Sequence, residues 1–351
     1  MKKINVGIIG CGNISGIYLD NLTGLFHNTN VYACADANPE SSKRCAESRG
    51  VKNLTVQELL ECEYIDIVLN LTVPSAHFDI CKKALKNNKN IYVEKPLSLD
   101  FKEGRGLCRL AKAKGLLIGC APDTFLGAGI QTCLKLINEN KIGKVIGATA
   151  FMMCRGHESW HPSPEFYYKK GGGPMFDMGP YYLTALVALM GAVKEVQGMA
   201  AKSFEKRLIT SEPKKGTEIE VEVPTHVNGL LKFESGAIAT VITSFDTIGS
   251  RLPHIEIYGE TGTIYVPDPN GFGGPVKLIA QNGAEEPVLV NAYEMNSRGI
   301  GVADMAQCLI ENRTDIRASG DLACHVLEIM CGIQKSSDTG KAYKMKTRNL
   351  F

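Results

Sequence analysis

No stretch of this chain comes near the ~20 successive apolar residues that a membrane-spanning helix requires, and no run of like charges breaks it up. Lys and Arg number 39 against 37 Asp and Glu, a formal charge of +2. That balance gives no general field for steering toward nucleic acid or an anionic membrane. Twelve cysteines are present, yet no Cys-x-x-Cys pair occurs and none is spaced with histidine as a metal-ligand set would be. They lie singly between Cys11 and Cys331, several in apolar stretches where a thiol acts as a small hydrophobe. This excludes the dense disulfide framework of a small secreted domain and predicts reduced thiols in a cytoplasm, with no metal site. Met1-Lys2-Lys3 has the charge of a signal peptide's front. The apolar run that follows, Ile4–Ile9, is cut at once by Gly10, Gly12 and Asn13, too short for a signal core. What remains is a globular, cytoplasmic chain of 351 residues, long enough for two domains.

Short apolar runs alternate with amphipathic stretches over the first ~120 residues, as βαβ units do. Strands are predicted at Ile4–Ile9, Val31–Ala35, Ile65–Leu71, Ile91–Val93 and Leu116–Cys120. Helices are predicted at Ile14–Leu25, Pro39–Arg49, Ala76–Asn87 and Phe101–Lys114, the last opened by an Asp100/Glu103 capping box. After residue 123 the texture changes. Helical patterns at Ile130–Glu139 and Met175–Met190 flank a strand at Val145–Met153 and a polar, aromatic loop. Long β-rich runs follow: Val193–Lys202, Thr217–Phe233, Ala237–Phe245, His254–Tyr258 and Thr263–Val266, several joined by glycine turns. Short turns imply a mainly antiparallel sheet. Helices return at Gly301–Glu311 and Leu322–Lys335. The expected fold is an α/β Rossmann domain (residues 1–122), a doubly wound parallel sheet. An α+β domain (residues 123–351) with a large, mainly antiparallel open sheet follows it.

Gly10-Cys11-Gly12-Asn13-Ile14-Ser15 follows a strand and opens a helix. The first glycine permits a tight turn, the second lets the backbone approach a pyrophosphate, and the helix start offers amide donors. The second strand ends at Asp36, whose carboxylate can accept from adenosine ribose hydroxyls and would repel a 2′-phosphate. The pattern predicts NAD, with NADP the less favoured cofactor.

Val93-Glu94-Lys95-Pro96-Leu97 closes a parallel strand, and Gly171-Gly172-Gly173-Pro174-Met175-Phe176-Asp177-Met178-Gly179-Pro180-Tyr181 opens a helix. With Gly10–Ser15 and Thr72-Val73-Pro74-Ser75-Ala76-His77, these segments resemble the glucose–fructose oxidoreductase / inositol dehydrogenase / rhizopine-catabolism family over nearly the whole chain. The resemblance implies a dinucleotide domain and a C-terminal domain with a large open sheet. It also implies a homo-oligomer, dimer or tetramer, built through that sheet. Gly10, Gly12, Asn13, Ile14, Asp36, Thr72, Pro74, His77, Glu94 and Lys95 become the expected cofactor contacts. Lys95 matches the family lysine beside nicotinamide and substrate, and Asp177 the acid of the second motif. Four residues on, many members carry a histidine base; here stands Tyr181, as in branches acting on glucose–fructose and on dihydrodiols. The family's Asn-Arg-Arg-like segment is replaced by Pro122-Asp123-Thr124, which makes Asp123 and Thr124 expected substrate contacts.

The same residues make chemical sense on their own. Oxidising a secondary alcohol needs a base for the hydroxyl proton while hydride leaves to nicotinamide. On one continuous helix Asp177 and Tyr181, spaced i,i+4, share a face, and a nearby ammonium would lower the tyrosine pKa. Trp160 and His161, in the loop His157-Glu158-Ser159-Trp160-His161, can cover the apolar C–H face of a sugar ring. The reading is an NAD-dependent dehydrogenase of a sugar, polyol or glycoside. The alternatives are a lyase or glycosidase that oxidises its sugar transiently, a dihydrodiol-type dehydrogenase, and a non-catalytic NAD-sensing protein.

Overall fold

The apolar runs of the first 120 residues form a six-stranded parallel sheet in the computed structural model, which describes residues 2–281, 283–290 and 293–347. The outer limits of the expected domains, residues 1 and 351, fall outside that range. The strands are β1 (Ile4–Ile9), β2 (Thr29–Ala35), β3 (Lys52–Asn53), β4 (Ile67–Asn70), β5 (Asn90–Val93) and β6 (Ile118–Cys120). Helices α1 (Ser15–Asp20), α2 (Pro39–Arg49), α3 (Val56–Glu61), α4 (His77–Lys86) and α5 (Phe101–Lys114) connect them. Strand order is β3-β2-β1-β4-β5-β6, every pair parallel. The order reverses direction between β1 and β4, and ligands of such sheets lie beyond the carboxyl ends at that point. Ile67, Val68 and Leu69 are wholly buried, which is why β4 reads as an unbroken apolar run. Asp100 caps α5 by accepting from the Lys102 and Glu103 amides. Glu103 takes the Ser98 hydroxyl at 2.6 Å instead of returning to Asp100, so the expected box is only half made.

The rest of the chain supplies α6 (Ala128–Asn138), β7 (Val145–Met153), α7 (Gly173–Asp177), α8 (Gly179–Met190), β8 (Val193–Ala201), β9 (Lys206–Leu208) and β10 (Glu218–Glu220). Then come β11 (His226–Phe233), β12 (Ile238–Ser244), β13 (Ile255–Gly259), β14 (Gly262–Val266), β15 (Lys277–Ala280), β16 (Gly283–Glu285), α9 (Ile300–Ile310), α10 (Gly320–Thr339) and β17 (Tyr343–Lys344). Nine strands form one sheet in the order β16-β15-β14-β13-β7-β12-β11-β8-β17. Only β12 with β7 is parallel, so the mainly antiparallel expectation holds. β11 buries Val227, Leu231 and Phe233 and exposes Asn228, Leu230 and Lys232, the period of a half-buried strand. Gly198 and Gly229 pair across β8 and β11. A Cβ on either would lie 2.6 or 2.8 Å from the Ile333 side chain of α10, so the two glycines make a bare seat for that helix.

Two expected elements are broken. The run 217–233 splits at residues 221–225 into β10 and β11, and β10 pairs with β9 in a separate ribbon. The helix expected over Met175–Met190 is interrupted at Met178, which ends α7 and precedes α8. Asp177 and Tyr181 therefore sit on two helices, and the shared face assumed for them is lost.

By contact the chain divides into one unit of Met1–Leu126 with Met295–Leu327 and a second of Gly127–Glu294 with Glu328–Phe351. The reading from sequence put the division at residue 122 with no return. α9 comes back to rest on β1 and β6, and Gly119 bridges Ser319, which draws this late segment into the first unit. Among the described residues no helix is long and apolar enough to cross a membrane.

Candidate active site

In the first unit the turn after β1 is shaped by what lies behind it. Gly10 has φ +105°, and a Cβ there would stand 2.6 Å from the Leu71 carbonyl and 2.8 Å from the Thr72 nitrogen. Only glycine fits both demands. Gly12 is the opposite case, with no atom within 4 Å of a would-be Cβ. Gly12, Asn13 and Ile14 are exposed just before α1 begins. Asp36, one residue past β2, accepts the Cys11 amide on Oδ2 at 2.7 Å and the Asn38 amide on Oδ1 at 2.8 Å. Its carboxylate thus pins the glycine turn and retains acceptor capacity for hydroxyl donors. An open-sided glycine turn, a helix start and an acid at the end of β2 fit a dinucleotide's pyrophosphate and ribose.

The ends of β4 and β5 are fastened to each other. Thr72 gives its amide and hydroxyl to Asn70 Oδ1, at 3.2 and 2.7 Å, and Pro74 starts a short 3-10 turn. His77, expected to touch cofactor, is completely buried, with Nε2 3.0 Å from the Thr72 carbonyl and Nδ1 2.7 Å from that of Pro96. Burial holds its pKa below the usual imidazole value. The ring is a clamp between two turns and acts through them. Glu94 is buried too; it accepts the Tyr18 hydroxyl at 2.7 Å and the Lys95 amide at 2.9 Å, which positions Lys95. Lys95 itself is half-buried at the carboxyl end of β5, before the cis Lys95–Pro96 bond.

Asp123 and Thr124 are not substrate contacts. They are 1% and 2% exposed. Asp123 Oδ2 accepts the amides of Gly299 and Gly301, at 2.8 and 3.1 Å, where α9 begins. An anion there satisfies unpaired helix-start donors and meets the positive end of the dipole. Desolvation nonetheless pushes its carboxyl up to about 6.

In the second unit, Asp177 at the end of α7 meets His157, which the sequence reading weighed only as a metal ligand and left out of the site. His157 Nε2 stands 3.3 Å from Asp177 Oδ2, both partly buried. Its ring lies 4.0 Å from Tyr167, 4.7 Å from Phe245 and 5.2 Å from Trp160 between centroids. Trp160 is 61% exposed, and His161 packs edge-on to it at 5.4 Å. His161 Nδ1 accepts the Ser163 amide at 3.0 Å, and burial, then His157, lowers its pKa. The loop is anchored from below. Buried Glu158 accepts the Tyr168 hydroxyl and pairs with Arg207 at 3.2 Å; Arg207 also faces Asp246 at 3.4 Å. Desolvation, then Glu158, raises the Tyr168 hydroxyl far above its ordinary value. Tyr181 is buried near the start of α8. No local signal marks His157, whose partner lies twenty residues away across a loop.

The β3-β2-β1-β4-β5-β6 sheet with its glycine turn and Asp36 defines a dinucleotide-binding unit of the Rossmann type. Residues 4–121 match the family model for the oxidoreductase NAD-binding Rossmann fold, and residues 130–265 that for the GFO/IDH/MocA C-terminal domain. The chain belongs to the GFO/IDH/MocA oxidoreductase family. An oxidoreductase of Formosa agariphila is 25% identical over 343 residues, 94% of this chain and 99% of that one. Myo-inositol 2-dehydrogenase of Thermotoga maritima is 23% identical over 266 residues, 75% of each chain. A levoglucosan dehydrogenase solved with NADH and L-sorbose shares the fold at TM-score 0.84 and 18% identity, covering 98% of this chain and 99% of its own.

Proposed function

We propose that the protein is an NAD-dependent dehydrogenase that moves a hydride between nicotinamide and a secondary hydroxyl or keto carbon of a sugar, polyol or glycoside. The observation that carries this reading is the open glycine turn with Asp36 against it, in a unit that also holds a lysine at the carboxyl end of β5. The similarity to a myo-inositol 2-dehydrogenase, and a fold shared with a levoglucosan dehydrogenase, support the substrate class. Bound at the turn, the dinucleotide supplies the hydride acceptor. Lys95 stabilises negative charge on the reacting oxygen. The His157–Asp177 pair takes the hydroxyl proton, Asp177 fixing the ring through Nε2 and leaving Nδ1 as the base. Trp160 covers the apolar face of the sugar ring. Tyr181, the carrier favoured from sequence, is the rival for the proton, and the variants in the Discussion separate the two.

The test is a panel of polyols, sugars and glycosides incubated with NAD and followed at the nicotinamide absorbance. NADH formation with a panel member is expected. Substrate loss without NADH would mark the lyase reading, and binding of NAD with no turnover the sensing one.

We also propose assembly into a homo-oligomer through the open sheet. Met199, Leu230 and Ile238 point outward on one face of neighbouring strands β8, β11 and β12, 80%, 49% and 56% exposed. Set among Gln197, Asn228, Lys232 and Thr240, they give the mixed apolar and polar surface that subunit interfaces have. Light scattering should give a multiple of the chain mass, and Leu230→Asp should lower it; a monomeric native protein contradicts assembly.

A further inference from the structure

Three cysteines that the sequence holds far apart converge beside the glycine turn. Cys11 lies in the turn after β1, Cys34 in β2 and Cys45 in α2. β1 and β2 run parallel with Ile9 opposite Ala35, so the turn after β1 falls beside the end of β2. α2 then folds back onto β2. As a result the three Sγ atoms all lie within 4.8 Å of one another. Cys34 is buried, while Cys11 and Cys45 are half-buried.

We propose that Cys11, Cys34 and Cys45 form a trithiolate site for a soft d10 cation, Zn2+ or Cu+. Thiolate is the donor such ions prefer. Metal–sulfur bonds of ~2.3 Å set thiolate sulfurs roughly 3.8–4 Å apart. The trio therefore needs to close by less than about an ångström, a rotamer-scale movement. The half-buried rims at Cys11 and Cys45 give the ion a way in, and the buried Cys34 gives it a floor. The sulfurs' bonds to the backbone are long ones: Cys11 Sγ is 3.6 Å from the Ala35 carbonyl and Cys34 Sγ 3.5 Å from that of Ser42. Binding replaces three S–H bonds by three S–metal bonds and releases up to three protons, with no change of oxidation state. The site lies wholly in the first unit and does not depend on the substrate reading.

The test uses the full chain, reduced, with Zn2+ alone and Cu+ alone against a competing chromogenic chelator. One equivalent should bind with proton release, and Cu+ should bring a near-ultraviolet thiolate-to-metal charge-transfer band. Cys45→Ser and Cys11→Ser should each weaken binding by about 10-fold or more and remove the band. Cys62→Ser, a half-buried cysteine outside the trio, should change neither. Thermal melting of each variant separates a lost ligand from a lost fold, and Cys45 and Cys11 are preferred to buried Cys34 for that reason. No binding of either ion, unchanged affinity in Cys45→Ser and Cys11→Ser, or an equal loss in Cys62→Ser would overturn the assignment.

Discussion

His157 reaches Asp177 with Nε2 3.3 Å from Oδ2, and the two residues come from a loop and a helix end twenty positions apart. If this pair carries the proton, His157→Asn and Asp177→Asn should each lower turnover by roughly 10²-fold or more, the scale of a lost positioned acid–base group. Lys95→Ala should lose a comparable factor through the reacting oxygen's charge. Tyr181→Phe keeps the ring and should stay within about threefold of the native rate. Steady-state kinetics on the substrate found by the panel checks all four. A collapse in Tyr181→Phe with His157→Asn near native would make the tyrosine the carrier.

Asp36 should decide between the cofactors. Its carboxylate is expected to hold the ribose hydroxyls of NAD and to repel the 2′-phosphate of NADP. Asp36→Ser should weaken NAD by about 10-fold or more, on the scale of a charged hydrogen bond, and narrow or reverse the gap to NADP. Calorimetric titration with both dinucleotides reads this directly. Equal affinities in the native protein would contradict it.

Asp123 makes stability depend on pH in an unusual direction. Its folded pKa, about 6, lies above the ordinary carboxyl value because burial penalises the charge. Between those two values the folded chain holds a proton that the unfolded chain has released. The contribution of this group is therefore full at about pH 4 and falls as pH rises through about 6. The loss is of order 3 kcal/mol, at 1.36 kcal/mol per pKa unit. Asp123→Asn keeps an oxygen for the Gly299 and Gly301 amides and should flatten that part of the profile. Urea midpoints from pH 4 to 7 provide the measurement, and identical profiles would contradict it.

Arg207 sits between Glu158 and Asp246, its side chain 5% exposed and theirs 11% and 8%. Arg207→Ala should cost about 3–5 kcal/mol, the penalty of leaving buried carboxylates without their cation. Because Glu158 adjoins His157, turnover should fall as well. Chemical denaturation and kinetics on the same preparation test both halves. A loss under about 1 kcal/mol would mean that the network is open to water.

What could be read from sequence was what is local. Gly10, Gly12 and Asp36 lie close along one strand–turn–helix–strand unit, and their spacing already encodes the turn. β1 and β7 have the bounds expected of them, since each is a single uninterrupted pattern. Asp123 was misread because the amides that claim it arrive from residues 299 and 301. His77 was misread because its second partner, Pro96, belongs to another strand's end. The break at Met178 hides inside an apolar, helix-like stretch, and the His157–Asp177 and Cys11–Cys34–Cys45 groupings exist only once chain segments are folded together.

The cramped space behind Gly10 has one more effect. Gly10 abuts Thr72, the Thr72 carbonyl meets His77, His77 holds Pro96, and Pro96 follows Lys95. These contacts join the glycine turn to Lys95 through one run of neighbours. On the proposed reading, that run ties the grip on the dinucleotide to the lysine at the reacting oxygen. A methyl added at residue 10 should then be felt in affinity and in turnover together.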